Sequence, residues 1–282
     1  MSDRPLLSVA NLRVRFQTPT RIVEAVRGIG FAMGREKLGI VGESGSGKSM
    51  TARAILRLVP PPGEVTAERL AFEDIDLLAA DDRTIRDLRG RRISMVLQDA
   101  KFSLNPVMTV GNQVAEAYRV HRRVAHAEAR RQALGMLRAV RIRDPERVYD
   151  AYPHEVSGGM GQRIMIAMML IPDPDLLIAD EPTSALDVTV QMQVLAILDD
   201  LVTQRGMGLI FISHDLNLVA SFCDRLLVMY GGRIVESIEA AKLHEASHPY
   251  TRGLLDALPR LDRLSGELPV LKRDSAWLDI GG

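Results

Sequence analysis

The stretch Gly42-Glu43-Ser44-Gly45-Ser46-Gly47-Lys48-Ser49 decides how the rest of this chain is read. An apolar run, Leu38-Gly39-Ile40-Val41, leads into it and reads as a buried strand. Met50-Thr51-Ala52-Arg53-Ala54-Ile55-Leu56 behind it reads as a helix that starts within the loop. Strand, glycine-rich turn and helix, in that order, form the setting a phosphate-binding loop requires. Gly42, Gly45 and Gly47 let the backbone take positive φ and curl closely around an anion. Its N–H groups then converge at the positive end of a helix. The helix dipole contributes only about 0.3–2 kcal/mol, too little to hold a triphosphate. Full charges must do more: Lys48 suits the β/γ-phosphates, and the Ser49 hydroxyl suits Mg²⁺. A merely flexible glycine loop does not explain why Lys-Ser falls in register after the last glycine. Residues 42–50 (Gly42, Glu43, Ser44, Gly45, Ser46, Gly47, Lys48, Ser49 and Met50) are therefore expected to cradle a nucleoside triphosphate.

Working outward, the bulk numbers bound the class. A chain of 282 residues with 46% hydrophobic residues can bury a real core, and disorder is excluded as the main state. Lys plus Arg and Asp plus Glu are both 36, so the chain as a whole is no polycation and a nucleic-acid coat protein is not expected. The single Cys223 excludes an internal disulfide and a Cys-ligated cluster, and fits a reducing compartment. The N-terminus lacks the apolar stretch of a secretory signal. The longest apolar run, residues 164–171, falls far short of the roughly 20 residues of a membrane helix. A soluble, cytoplasmic chain is expected, able to reach a membrane through a partner.

Before the loop, residues 6–16 and 24–31 alternate like short antiparallel strands, split by Thr18-Pro19-Thr20. Phe16 either stacks on an adenine or packs in the core as a strand-end aromatic; one ring does not choose. After the loop, Pro60-Pro61-Pro62-Gly63 is expected to stop the helix. Residues 93–97 read as a strand that delivers Gln98 at its carboxyl end, where ligands of open parallel sheets sit. From Asp99 to Glu155 the pattern turns helical, and arginines 119, 122, 123, 130, 131, 138, 141, 143 and 147 face only Glu128, Asp144 and Glu146. A helical insertion with a basic exposed face follows: either a nucleic-acid site, which no aromatic interleaving supports, or more commonly a solvated face of the kind favoured beside anionic lipid headgroups.

Val156-Ser157-Gly158-Gly159-Met160 then opens a helix, with Ser157 as its cap and two glycines exposing N–H groups to an anion. Leu176-Leu177-Ile178-Ala179 reads as a buried strand ending in Asp180-Glu181. Two acids at the end of a buried strand need charge partners. Asp180 fits the outer shell of Mg²⁺, and Glu181 can accept a proton from water. Gly208-Leu209-Ile210-Phe211-Ile212 is a further core strand ending in Ser213-His214-Asp215, which puts His214 within reach of a γ-phosphate. Residues 225–234 read as a closing hairpin turned by Tyr230-Gly231-Gly232.

Taken together, six ordered motifs over residues 6–258 resemble the nucleotide-binding subunit of an ABC transporter. Residues 42–49 match its Walker A loop, and LLIADE (176–181) its Walker B strand with the following glutamate. Gln98 matches the Q-loop, VSGGM (156–160) the signature, SALD (184–187) the D-loop, and His214 the switch histidine; Phe16 falls where an adenine-stacking aromatic is expected. The resemblance implies an α/β fold: a P-loop NTPase with a RecA-like core sheet, an N-terminal antiparallel β subdomain and an inserted helical subdomain at about 99–160. Residues 1–258 would form the cassette and 259–282 a C-terminal extension. It implies ATP and Mg²⁺ as cofactors, with Ser49, Gln98 and Asp180 on the metal. Glu181, His214, Gln98 and Lys48 would be catalytic, and Ser157, Gly158 and Gly159 would serve a nucleotide held by a second cassette.

A narrower likeness rests on QDAKFSLNP (98–106), YPHEVSGGMGQR (152–163) and HPYTR (248–252), which look like the oligopeptide, dipeptide and nickel importer subgroup. That subgroup commonly has proline at Ala100 and arginine at Gly161, and many members carry a C-terminal cysteine cluster; residues 253–282 contain no cysteine. The resemblance implies a peripheral subunit on the cytoplasmic face of the cell membrane that powers import of a peptide-like solute or a nickel complex. Its partners would be a second ATPase subunit (a heterodimer is favoured), two integral membrane permeases and an extracytoplasmic solute-binding protein, with no nucleic acid. The alternative is a soluble non-transport ABC ATPase; ribosomal ones usually hold two cassettes in one chain and chromosomal ones interrupt theirs with long coiled coil, and this sequence has neither feature.

Overall fold

The computed structural model of the protein describes residues 4–97, 103–184, 186–257 and 277. The chain divides into two compact units, Met1–Ala79 with Phe211–Gly282, and Ala80–Ile210.

The first unit begins with two long antiparallel strands, β1 (Leu7–Gln17) and β2 (Ile22–Met33). They alternate as expected, but β1 changes phase midway: Leu7 and Val9 point inward, then Leu12 and Val14. A register shift between Val9 and Leu12, with Asn11 at φ 48°, inserts the extra residue that a β-bulge needs. Without it, the second half of the strand would turn its apolar side to water. The apolar β3 (Lys37–Val41) then leads into the loop, and α1 (Lys48–Ile55) leaves it.

This helix ends well before the prolines that the sequence marked as its stop. Arg57 takes φ 51° and its N–H donates to Ala54 O, while the Leu58 N–H donates to Arg53 O. That pair of bonds is a Schellman ending, which satisfies the last carbonyls without proline. The strands β4 (Gly63–Thr66), β5 (Arg69–Phe72) and β6 (Ile75–Asp76) complete an antiparallel sheet of order β2-β1-β5-β6, with β4 also paired to β1.

The second unit opens with α2 (Asp82–Leu88), whose cap Asp81 accepts from the Thr84 N–H at 2.7 Å. The strand β7 (Ile93–Val96) follows. The predicted helical insertion is present as α3 (Val110–His121), α4 (His126–Ala139), α5 (Pro145–Asp150) and a short 3₁₀ turn at Pro153–Glu155. Its helices approach closely at Gly111, where a Cβ would lie 2.0 Å from the Tyr149 ring. The Arg130 guanidinium lies 4.3 Å from the centre of that ring.

Five of the nine arginines counted on the expected basic face form ion pairs. Arg131 pairs with Glu128, Arg138 with Glu146, Arg147 with Asp144, Arg130 with Asp150 and Arg141 with Asp200. Asp150 lies within residues 99–155, uncounted among the acids there, and Asp200 lies beyond that stretch and is brought in by folding. Next come α6 (Gly158–Leu170), the fully buried β8 (Leu176–Asp180) parallel to β7, and α7 (Val188–Arg205).

Within β9 (Gly208–Ser213) the chain passes back to the first unit. There α8 (Leu216–Phe222) packs onto β3 so tightly that a Cβ on Gly39 would sit 2.1 Å from Val219 Cγ1. The strand β10 (Arg225–Tyr230) is parallel to β3 and antiparallel to β11 (Arg233–Glu239), as the hairpin reading required. A last helix, α9 (Pro249–Asp256), is capped by His248, whose Nδ1 accepts from the Tyr250 N–H at 3.1 Å. Among the described residues, no helix is long and apolar enough to cross a membrane.

Candidate functional site

In the first unit, the loop after β3 has the curvature its glycines predicted. Gly45 takes φ 81° and Gly47, the cap residue of α1, takes φ 102°, a region that side chains with a Cβ rarely enter. Steric fit adds to this. A Cβ on Gly42 would lie 2.1 Å from Met229 O, and one on Gly47 would lie 2.5 Å from Ala25 O. The loop is thus seated against β10 and β2, two neighbours that local sequence does not reveal.

Lys48 is buried, and its Nζ donates to Gly42 O at 2.7 Å and Glu43 O at 2.9 Å. Its ammonium is thereby folded into the concave side of the loop. Ser44 and Gly45 form the exposed rim, while Ser49 and Met50 sit half-buried in the first turn of α1. From the hairpin between β10 and β11, the Gly232 N–H donates to Ser46 O at 3.1 Å.

The loop fits a phosphate chain on one further observation. The Ser46 hydroxyl is buried and has no hydrogen-bond partner among the described residues. A buried hydroxyl without a partner is costly, and a phosphate oxygen is the acceptor that loop geometry offers. No group of three or more His, Cys, Asp or Glu side chains able to hold a metal occurs among the described residues. Mg²⁺ suits such a chain, because it is usually held by one or two protein oxygens together with substrate phosphates.

Phe16, at the far end of β1, is half-buried rather than part of the core. Its Cε1 lies 2.7 Å from where a Cβ on Gly63 would stand, so the ring rests on that glycine of β4. His214 follows β9 directly and is exposed, one residue before Asp215, the cap of α8. The Asp215 carboxylate accepts from the Leu218 N–H at 3.1 Å.

In the second unit, Ser157 caps α6 as expected, with its Oγ accepting from the Met160 N–H at 3.3 Å. Ser157 and Gly158 are exposed, and a Cβ on Gly159 would lie 2.6 Å from Val190 Cγ1 of α7. Arg163 turns back onto its own unit, with Nε donating to Gly159 O at 3.1 Å and Nη1 to Arg141 O at 3.0 Å. Burial, and then the Arg143 guanidinium nearby, lowers its pKa from the ordinary arginine value. At Gly161 a Cβ would meet no atom within 4 Å, although the residue is buried.

Asp180 is buried at the end of β8, and Glu181 after it is half-buried at φ 46°. A non-glycine residue there stores on the order of 1–3 kcal/mol of strain, a cost that clusters at functional sites. Ser184 steadies the turn: its N–H and Oγ both donate to Glu181 O, at 3.3 and 3.2 Å. Gln98, and Ala185 of the SALD segment, lie outside the described residues, as does most of the 259–282 extension, where no cysteine cluster was expected.

Comparison with known proteins identifies the family. The sequence pattern of the ABC transporter family matches residues 30–184. The chain is 48% identical over 278 residues to a probable peptide ABC transporter ATP-binding protein of Sinorhizobium fredii, covering 95% of this chain and 83% of that one. It is 46% identical over 267 residues to the dipeptide transport ATP-binding protein DppD of Bacillus subtilis, covering 93% and 79%. Among solved structures, it resembles the ATP-binding cassette MJ0796 in a dimeric post-hydrolysis state bound to ADP and Pi, at 26% identity. The TM-score is 0.72, over 83% of this chain and 98% of that one. The fold is that of a P-loop NTPase with an antiparallel β subdomain and a helical insert, and the cofactors are ATP and Mg²⁺. The chain belongs to the ABC transporter family and is its ATP-hydrolysing cassette.

Proposed function

We propose that this cassette powers import of a peptide-like solute through a pair of membrane permeases, from the cytoplasmic face of the membrane. The observation that carries the reading is its 46% identity, over 93% of the chain, to a dipeptide transport ATP-binding protein. In this reading Lys48, Ser46 and the loop amides bind and orient the β/γ-phosphates of ATP. Bound Mg²⁺ supplies charge neutralisation at the phosphates, with the Ser49 hydroxyl and the Asp180 carboxylate as its protein-side groups. Glu181 takes the proton from the attacking water, and His214 and Gln98 orient the γ-phosphate and that water. Phe16 stacks on the adenine. Ser157, Gly158 and Gly159 serve the nucleotide of a second ATPase subunit, in a heterodimer.

The exposed cap and glycine at the start of α6 support a role in trans, because the first N–H groups of a helix have no intrahelical partner and Gly158 has no side chain to cover them. Loss of a shared phosphate then opens the pair. At an effective dielectric of about 20, unit charges about 4 Å apart interact by about 4 kcal/mol. The helical insert passes that opening to the permeases.

The test is reconstitution of the chain with its two permeases and candidate partner cassettes in proteoliposomes. Peptide delivered by a solute-binding protein should raise ATPase and accumulate in the lumen. ATPase unaffected by any peptide or nickel chelate would refute the importer reading.

A further inference from the structure

The Gly42–Glu43 peptide unit is held at both ends. Its carbonyl accepts from Lys48 Nζ at 2.7 Å, and its N–H donates to the phenol oxygen of Tyr250 at 3.0 Å. A trans peptide is planar with C=O and N–H pointing opposite ways, so turning the unit breaks both bonds together. Lys48 is the charge that seeks phosphate. The Gly42 carbonyl steers its ammonium, and Tyr250 steers that carbonyl. Tyr250 is fully buried, where a phenol needs a hydrogen-bond partner.

Tyr250 is itself well anchored. It lies in the first turn of α9, and the approach to that helix is fixed on β11. Glu236 Oε1 accepts from the Ser247 N–H at 2.7 Å, from Ser247 Oγ at 3.1 Å and from the His248 N–H at 3.2 Å. Its ring meets Tyr230 at 4.6 Å between centroids and Trp277 at 5.7 Å, and Trp277 meets Tyr230 at 5.5 Å. These spacings are those of interacting aromatic rings. Tyr230 ends β10 beside the turn whose Gly232 N–H donates to Ser46 O. The ring cluster therefore reaches the phosphate-binding loop through the Tyr250 hydroxyl at Glu43, and Tyr230 lies two residues before the glycine that bonds Ser46. Trp277 belongs to the C-terminal extension and is the only tryptophan of the chain.

We propose that Tyr250 is a positioning residue for the phosphate-binding loop and that Trp277 clamps it, so that the C-terminal extension sets the loop's affinity for nucleotide. The inference rests on the reading that this loop takes ATP. It makes the extension a regulatory element even though it holds no cysteine.

The experiment uses the full chain, its Tyr250→Phe and Trp277→Ala variants, and radiolabelled MgADP binding beside Trp277 emission. In the unaltered chain, MgADP binding should change the emission of Trp277. Tyr250→Phe keeps the rings and removes only the hydroxyl. It should weaken MgADP binding about 3–10-fold, the range of one lost hydrogen bond, and abolish the emission change. In the assembled transporter, KM for ATP should rise by a similar factor with kcat changed less than about 2-fold. Trp277→Ala should weaken binding in the same direction by about 2–5-fold. Normal MgADP affinity in Tyr250→Phe, or a Trp277 emission that ignores bound MgADP, would overturn the proposal and leave the ATP reading intact. Should Tyr250→Phe fail to fold, unchanged affinity in Trp277→Ala overturns it by itself. An unaltered chain that binds no MgADP would overturn the ATP reading, and the proposal with it.

Discussion

At the scale of single residues, the candidate chemistry falls into separable binding and proton-transfer parts. Glu181→Gln keeps size and polarity but removes a base, so MgATP should still bind while turnover falls by about 10²–10⁴-fold. Near-normal turnover in that variant would place the base elsewhere. Lys48→Ala should act on binding instead and weaken ATP affinity by about 10–100-fold, the scale of a charged hydrogen bond. An equilibrium binding titration distinguishes the two. Gly161 is a third case. Its Cβ position is empty, and the Arg163 guanidinium nearby is held by Gly159 O and Arg141 O, two neutral carbonyls that leave its charge intact. Gly161→Arg should therefore be accommodated, and should raise turnover at the composite site whose Walker residues belong to the partner subunit. Site-resolved turnover that stays level or falls would show glycine to be neutral or required.

At the scale of elements, the contacts that matter most are those that seat the loop. Helix α8 lies on β3 through Gly39, which has no room for a methyl group beside Val219. Gly39→Ala should destabilise the fold by about 1–3 kcal/mol through overpacking, read as a lower urea midpoint. An unchanged midpoint would mean that α8 can shift freely. Such a shift would also disturb β3 and the loop it carries. The α6 cap makes a smaller contribution. The Ser157 bond is long, at 3.3 Å, so Ser157→Ala should cost near the low end of the usual 0.5–2 kcal/mol of a lost cap. Its larger effect should fall on turnover in the assembled dimer, since the same hydroxyl faces outward.

At the scale of the whole molecule, if the signature serves another subunit as proposed, the chain alone should be a poor ATPase. Turnover per chain should rise with concentration, and rise further on adding the correct partner cassette. Activity strictly proportional to concentration, with no gain from any partner, would argue against the dimer. The buried Cys223 gives a separate handle on global folding. Burial, with the Asp224 charge beside it, pushes its thiol up to about 12. The unfolded thiol ionises near the ordinary value of 9.0, so the folded state binds the proton more tightly. This contribution to stability is intact below about pH 9 and is lost as pH rises from there toward 12. A thiol reagent at pH 8 should therefore leave the folded chain almost unlabelled and react at once after unfolding in urea.

How much of this could be read from the chain alone differs by kind of feature. Local order was legible. The loop at residues 42–49, the cap at Ser157, the strand into Asp180-Glu181 and the strand into His214 all depend on neighbours in sequence, and each is where the pattern put it. The identity of the family followed from the order of those motifs. Local sequence did not hold the bulge at Asn11, the early Schellman end of α1, or the pairing of Arg130 and Arg141 with Asp150 and Asp200. Nor did it show why Gly39 and Gly111 must be glycine. The most consequential case is Tyr250, which reads in sequence as one letter of a subgroup motif. Only the tertiary structure brings its hydroxyl to the Glu43 N–H, 207 residues away in the chain. Chain order specifies what each segment is able to form. Which backbone N–H finds which distant side chain is set by packing between elements, where a buried polar group left without a partner is costly.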